Sequence, residues 1–179
     1  MKIKMIMKSM IVLVILVFVW QMSAQIALAT TVSTATESLT TGSTATGSVT
    51  TEKYEVRDGV IMRIAAGTTA SQFLTNITVA SGDTKEVYSG STQVTGSKRL
   101  TTGMTLKVGK SATYKIAVRG DASGDGMLTA MDLSQFKLNF AGTKALASPN
   151  IEAVDINYDG QVTALDLSQL KMLIVGLDI

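Results

Sequence analysis

The sequence has 179 residues, a formal net charge of +2, and neither cysteine nor histidine. The missing cysteines and histidines exclude disulfides, thiolate zinc sites, and the Ser-His-Asp and Cys-His arrangements of nucleophilic catalysis. A chain of this length holds one ordinary domain or two small ones.

Residues 1–29 predict a secretory signal peptide. Three lysines precede an unbroken apolar run over residues 10–20, and an Ala-Leu-Ala sequence from Ala27 offers a cleavage site. A membrane anchor is the alternative, but the run is shorter than the roughly 20 residues that span a bilayer. We therefore expect a secreted protein with no stable membrane insertion after cleavage of the signal.

The basic character of the chain lies in this first segment. Removing residues 1–29 removes three lysines and no acidic residue, so the formal charge falls from +2 to −1. The mature chain therefore has no basic surplus of the kind that indicates nucleic acid or an anionic membrane surface as a partner.

Residues 30–52 are mostly Thr, Ser, Ala and Gly, with hardly any large apolar side chain. Such a segment cannot bury enough apolar surface to offset its chain entropy. It predicts a flexible Thr/Ser-rich linker with hydroxyls open to glycosylation.

Residues 53–118 have the sequence pattern of a small β-rich module. Short β-type runs lie between turn signals, and Leu106, Val108, Tyr114, Ile116 and Val118 alternate with polar residues. The predicted strands cover 54–56, 59–65, 85–90, 104–109 and 112–118.

The same module is predicted to contain one short helix, which begins at Thr68 or Thr69 and turns Phe73, Leu74 and Ile77 inward. We expect an Ig-like or β-sandwich-like fold. The acidic residues of the module are scattered and predict solvated surface charge rather than a catalytic constellation: Asp58, Asp83 and Glu86.

The last third of the chain contains a duplicated motif. "DASGDGMLTAMD" begins at Asp121, and "DINYDGQVTALD" begins 34 residues later at Asp155. Alternating oxygen side chains, a Gly for the sharp turn and a carboxylate at the twelfth place form the calcium loop pattern of EF-hands. The predicted ligands are Asp121, Ser123, Asp125, Met127 through its backbone oxygen, Thr129 and Asp132, and then Asp155, Asn157, Asp159, Gln161 through its backbone oxygen, Thr163 and Asp166.

Charge agrees with two bound Ca²⁺ ions. Residues 119–179 contain eight acidic and four basic residues, a deficit of four charges that two calcium ions would cancel. Without metal, the carboxylates of each loop would repel one another. Because Ser123 is a neutral hydroxyl at the third place, we expect the first site to be the weaker one.

Neither loop has a full entering helix, since the first follows a strand-like run and Pro149 shortens any helix before the second. In this respect residues 120–177 resemble the type I dockerin family, which has two tandem calcium loops with exiting helices only. The resemblance implies an all-α domain of two antiparallel loop-helix motifs, for which we take residues 119–179.

The exiting helices are predicted to have two apolar faces. Their shared core takes one face of each helix: Leu133, Phe136, Phe140, Leu167, Leu170 and Ile174. A second apolar stripe lies on the opposite side: Met131, Leu138, Leu165 and Met172. This stripe either packs internally or is offered to a partner.

The resemblance implies that the partner is a cohesin module on a scaffoldin. Dockerins bind cohesins through the residues before the last calcium ligand and through those one to two turns into the helix. The corresponding residues here are Ala130, Met131, Lys137 and Leu138 in one copy, and Ala164, Leu165, Lys171 and Met172 in the other. The near-symmetry implies that either copy could dock after a half-turn of the domain. The Ala-Met and Ala-Leu pairs depart from the Ser-Thr pairs of the best-known members, which leaves the cohesin type open.

The β-rich segment also resembles small modules that precede dockerins in some clostridial extracellular proteins. We expect a non-catalytic assembly protein in a cellulosome-like complex. One alternative is a part of, or an accessory to, a glycoside hydrolase, but about 65 residues leave little room for the folds that carry a paired-carboxylate cleft. Another is a β module that binds carbohydrate or cell wall.

Overall fold

The computed structural model describes residues 47–177. The predicted signal peptide, residues 1–29, and residues 30–46 of the predicted linker lie outside this range. The described residues belong to one compact unit, Thr44–Ile179. Within residues 47–177, no helix is both long enough and apolar enough to cross a membrane.

Within the described range, residues 47–118 are β-rich, as predicted. Its strands are β1 (Val49–Thr50), β2 (Glu55–Arg57), β3 (Val60–Ile64), β4 (Thr78–Val79), β5 (Lys85–Ser89), β6 (Thr92–Val94), β7 (Thr105–Val108) and β8 (Ala112–Val118). One helix, α1 (Ala70–Thr75), follows β3. Strands β1, β4 and β6 were not predicted because two or three residues are too few to show alternation. Since β1 lies within the predicted linker, the β structure begins before residue 53.

Six strands form the main sheet in the order β2-β3-β8-β7-β5-β6, and β1 pairs with β4 in a separate sheet. Neighbouring strands are antiparallel except β3 and β8, which are parallel. Both sheets pack on one core, but they are very unequal in size. The expected Ig-like or sandwich-like arrangement is therefore not a pair of similar sheets: six strands lie in one sheet and two in the other.

The core of this β-rich region follows the predicted alternation. Leu106, Val108, Ile116 and Val118 are buried in it, and Tyr114 packs against it half-buried. Other buried side chains come from β3, α1 and β5: Ile61, Ile64, Phe73, Ile77 and Val87.

Helix α1 begins at the cap Thr69, one of the two predicted caps. Its hydroxyl accepts a hydrogen bond from the Gln72 N–H at 3.3 Å, while Gln72 Oε1 accepts from the Thr69 N–H at 3.0 Å. This reciprocal capping box satisfies two N–H groups that have no partner inside the helix. Phe73 and Ile77 are buried and Leu74 is half-buried, as predicted.

Residues 119–177 contain three helices: α2 (Ala130–Phe140), α3 (Asn150–Val154) and α4 (Ala164–Ile174). Helix α3 is the single short turn that Pro149 allows before the second loop. Five of the six predicted core residues lie in the helical core, in which Phe136 and Leu170 are fully buried and Leu133, Leu167 and Ile174 pack around them.

The prediction that Phe140 lies in the core is wrong, because this residue is 52% exposed. It is the last residue of α2, and the chain then folds back so that the Leu146 N–H donates to Asn139 Oδ1 at 2.9 Å. Leu146 packs against the helical core at this end, and Phe140 stacks outside on Phe136 with ring centroids 6.3 Å apart.

The second face of the main sheet is covered by the helical region. Val60, Met62 and Ala117 form a buried cluster with Ala153 of α3, and Tyr158 packs against it. We call these five residues the interface cluster. The Arg119 N–H also donates to the Ile64 carbonyl at 2.8 Å. Strand β3 and the last three residues of β8 are therefore covered on both faces, which explains their nearly continuous burial.

Candidate metal centre

The first loop begins directly at the end of β8, with Asp121 fully buried. Asp121 Oδ1 accepts from the Gly124 N–H at 2.9 Å, and Oδ2 accepts from the N–H groups of Gly126 at 3.2 Å and Thr102 at 2.8 Å. At the end of the loop, Asp132 is also buried and accepts from the Ser123 N–H at 2.9 Å. The carboxylates thus hold the loop by binding its own backbone and, at Thr102, the backbone of the β-rich region.

The second loop repeats much of this pattern. Asp155 Oδ2 accepts from the Gly160 N–H at 2.9 Å, the same bond that Asp121 makes with Gly126. Asp166 is fully buried and accepts from the N–H groups of Ile156 at 2.9 Å and Asn157 at 3.3 Å.

The last two side-chain ligand positions of each loop also start a helix. Thr129 is the N-cap of α2, and its N–H donates to Asp132 Oδ2 at 2.8 Å. Thr163 is the N-cap of α4, and its N–H donates to Asp166 Oδ2 at 2.9 Å. The loop ends are therefore built by capping boxes, in which the twelfth residue of the loop is the third residue of the helix.

The first carboxylate of each loop is electrostatically strained. Burial raises the pKa of Asp121 above its ordinary value, with a smaller contribution from the nearby Asp132 charge. Burial likewise raises the pKa of Asp155, and Asp166 and Asp159 add to the shift. In both loops the charged form is disfavoured unless a cation balances it.

The remaining predicted ligands lie within the same two loops, but they do not all converge. Asp125 Oδ1 accepts from the Met127 N–H and Asp159 Oδ1 accepts from the Gln161 N–H, each at 2.8 Å. Within the described residues, no three acidic side chains come together as they would around a metal ion. The carboxylates face backbone N–H groups instead.

The donor chemistry nevertheless fits calcium. Ser123 Oγ and Asp155 Oδ1, one in each loop, are buried oxygens with no hydrogen-bond partner. A buried oxygen left without a partner costs about 1–3 kcal/mol. Both atoms lie at places from which the loop pattern presents oxygen to a hard cation, so a bound calcium ion would satisfy them.

The residues predicted to face a partner lie on the surface of α2 and α4. Met131 and Leu165 occupy equivalent places and are each 55% exposed. The other six follow the same order in both copies: Ala130, Lys137, Ala164 and Lys171 are exposed, and Leu138 and Met172 are half-buried. The second apolar stripe is therefore only partly used in internal packing.

Contacts from the β-rich region to the loops were not predicted. The Arg63 guanidinium lies 4.8 Å from the ring centroid of Tyr158, and Arg57 donates to the Tyr158 carbonyl at 3.5 Å. Thr102 binds Asp121 across 19 positions of sequence. No local pattern could have indicated these contacts, because they depend on which face of the sheet the helices cover.

Two loops that present oxygen, each leading through a capping box into a helix, define a protein with a paired loop-helix domain. The family model of the type I dockerin domain matches residues 119–175. The searches of curated proteins and of solved structures found no match. The chain therefore contains a type I dockerin domain, preceded by a β-rich region, as the sequence predicts. Dockerin domains bind calcium and dock on cohesin modules in cellulosome-type complexes.

Proposed function

We propose that this protein is a secreted, calcium-dependent docking protein that binds a cohesin module of a scaffoldin. The observation that carries this proposal is the equal 55% exposure of Met131 and Leu165, one residue before the last ligand of each loop. A large apolar side chain exposed at the same place in both copies supports a partner surface rather than internal packing.

In this proposal two calcium ions are bound, one in each loop, by the ligands that the sequence predicts. When bound, calcium would neutralise the buried carboxylates and hold the loop in its folded form. The chain's own part is to connect loop and helix: Asp132 and Asp166 belong both to the ligand sets and to the capping boxes of α2 and α4. Ordering the loops therefore orders the helix starts that carry Met131 and Leu165.

The near-identical exposure of the two copies supports docking through either one. The residues of the first copy would bind a cohesin in one orientation, and those of the second would bind it after a half-turn. A variant of one copy alone, Met131→Asp or Leu165→Asp, is then expected to retain binding, while the double variant loses it.

The first experiment is a pull-down of residues 30–179 against a panel of cohesins, in millimolar calcium and again in chelator. Retention only with calcium is the expected result. Asp121→Ala combined with Asp155→Ala is expected to abolish docking, and docking that persists in this double variant would contradict the proposal. If calcium folds the domain and no cohesin retains it, the exposed stripe serves another contact.

We further propose that the β-rich region is not catalytic. Glu86 accepts hydrogen bonds from the Tyr88 hydroxyl and the Gln93 amide, and Asp83 accepts from the Gly47 N–H, so these carboxylates have structural partners. Hydrolysis of a soluble polysaccharide by the purified protein would overturn this and favour a glycoside hydrolase component. Retention on insoluble polysaccharide without hydrolysis would favour a carbohydrate-binding module.

A further inference from the structure

The two loops differ in a contact to the β-rich region that their sequences do not show. The Asp121 carboxylate accepts an N–H from outside its loop, at Thr102 of the β-rich region. Asp155 Oδ2, the counterpart of the oxygen that binds Thr102, accepts from Gly160 of its own loop and, among the described residues, from no N–H of the β-rich region. Asp155 Oδ1 is buried without a hydrogen-bond partner, whereas Asp121 Oδ1 accepts from Gly124 of its own loop. The bond to Gly126 in one loop and to Gly160 in the other is the same, so the loops provide an internal comparison.

Thr102 is itself fixed by the strand that leads into the first loop. Its hydroxyl accepts from the Val118 N–H at 3.0 Å and lies 3.3 Å from the Val118 carbonyl, and only 5% of the residue is exposed. The next N–H, that of Gly103, donates to the Ile116 carbonyl at 3.0 Å. The donor that meets Asp121 therefore belongs to a turn anchored on the end of β8.

The residue at the fourth position of each loop is consistent with this contact, because the first loop has a glycine there and the second has a tyrosine. Gly124 and Tyr158 occupy equivalent places and both have positive φ, +77° and +62°. Backbone conformation therefore does not by itself require glycine here. A Cβ on Gly124 would lie 2.9 Å from the Thr102 carbonyl oxygen, so a side chain there would push the first loop away from the turn.

We propose that the β-rich region is a working part of the first calcium site, and that the Thr102 N–H is the group that positions the Asp121 carboxylate for the metal. This inference rests on the proposed calcium-dependent function. Groups that orient a metal ligand without touching the metal change metal affinity about 10- to 100-fold. Because Thr102 holds Asp121 from outside the loop, the metal-free first loop is closer to its calcium-binding arrangement than it would be through its own contacts alone.

The test is a calcium titration of residues 30–179 by calorimetry, with affinities assigned to each loop by backbone NMR. Gly124→Ala is expected to weaken the first site about tenfold and leave the second unchanged. The matched control is Gly142→Ala, because Gly142 also has a positive φ of +68° but a Cβ there meets nothing within 4 Å. An equal effect of both variants on the first site would overturn the proposal.

A second pair of variants separates the Thr102 N–H from the rest of the residue. Thr102→Pro removes the donor, whereas Thr102→Val keeps the N–H and removes only the hydroxyl. We expect the proline variant to lose first-site affinity well beyond the valine variant, and equal losses would contradict the assignment.

Should the proline variant fail to fold, the unaltered protein still decides the question. The Thr102 amide proton resonance is expected to shift in step with occupancy of the first loop. A resonance that does not respond while that loop fills would refute the positioning role. If the unaltered protein binds no calcium at all, the proposed function itself fails, which is a different result from binding that is indifferent to Thr102.

Discussion

At the scale of single residues, Tyr158 combines a well-packed ring with an unsatisfied hydroxyl. Its ring packs on the other four residues of the interface cluster and contacts the Arg63 guanidinium, while its hydroxyl is buried without a hydrogen-bond partner. Burial raises the pKa of Tyr158 to about 12, so the hydroxyl is protonated at neutral pH.

We therefore predict that Tyr158→Phe leaves the free energy of unfolding unchanged or raises it by up to about 1 kcal/mol, because it removes a buried oxygen that has no partner. Tyr158→Ala is expected to lower it by about 2 kcal/mol or more, since the ring contacts are lost. Urea denaturation in excess calcium measures both. A phenylalanine variant as damaged as the alanine variant would mean that the hydroxyl has a partner in solution.

Glu55 gives a prediction for pH dependence. Its hydrogen bond from Arg57 is the largest cause that lowers its pKa, and Arg63 contributes in the same direction. Because the folded-state pKa lies below the ordinary 4.5, the stabilisation is fully present above pH 4.5 and is lost as the pH falls through the folded-state value. Glu55→Gln should cost about 0.5 kcal/mol at pH 7.

The difference between the parent protein and Glu55→Gln is expected to shrink as the pH falls below 4.5 and to disappear below the folded-state pKa of Glu55. Chemical denaturation at several pH values, at constant ionic strength and in chelator, measures it. A stability difference that stays the same from pH 7 down to the lowest pH at which the protein folds would show that the ion pairs are not its source.

Sequence reasoning works best for residues whose role is set by their neighbours along the chain. Thr69 is confirmed as a helix cap, whereas the calcium ligand positions, which follow from spacing within twelve residues, stay a prediction. Thr102 and Tyr158 could not be found in this way, because their roles depend on contacts between segments far apart in sequence. Gly124 offered a weak signal, since the second loop has Tyr158 at the same position.

At the scale of elements, α2 contains two aromatic residues that helical spacing places on one face but that differ in burial. Phe136 is fully buried, whereas Phe140 is 52% exposed. We predict that Phe136→Ala lowers the free energy of unfolding by about 3–5 kcal/mol. Phe140→Ala is its matched control and should cost less than about 1 kcal/mol. Thermal unfolding in calcium compares them, and similar losses would place Phe140 in the core after all.

The elements that could be predicted well from the sequence have either a clear apolar periodicity or a residue, such as Pro149, that limits their length. Alternation identified β7 and β8, and Pro149 limited α3 to one short turn. Pairing could not be predicted, and the parallel contact of β3 with β8 is the clearest example. Nothing in two separate apolar strands reveals their relative direction, because it is decided by the path of the chain between them.

At the scale of the whole molecule, the two regions share buried contacts rather than a free linker. The interface cluster, the bond from the Arg119 N–H to the Ile64 carbonyl and the bond from Thr102 to Asp121 join them. We predict that calcium stabilises the β-rich region as well as the dockerin domain. Calcium at one hundred times its dissociation constant should add about 2.7 kcal/mol per site.

Hydrogen exchange measures this directly. Amides of β3 and β8 are expected to exchange more slowly in calcium than in chelator, together with those of α2 and α4. The double variant Asp121→Ala and Asp155→Ala is the control in which calcium should change neither set. Protection confined to residues 119–177 would show two regions that unfold independently.

The buried contacts between the sheet and the helices also determine what the proposed docking would do to the rest of the chain. Because the interface cluster joins the sheet to the helices, we expect the β-rich region to turn with the dockerin domain. Docking through the second copy instead of the first would then rotate the β-rich region by half a turn relative to the scaffold. The choice of docking mode would thus decide which side of the scaffold the β-rich region faces.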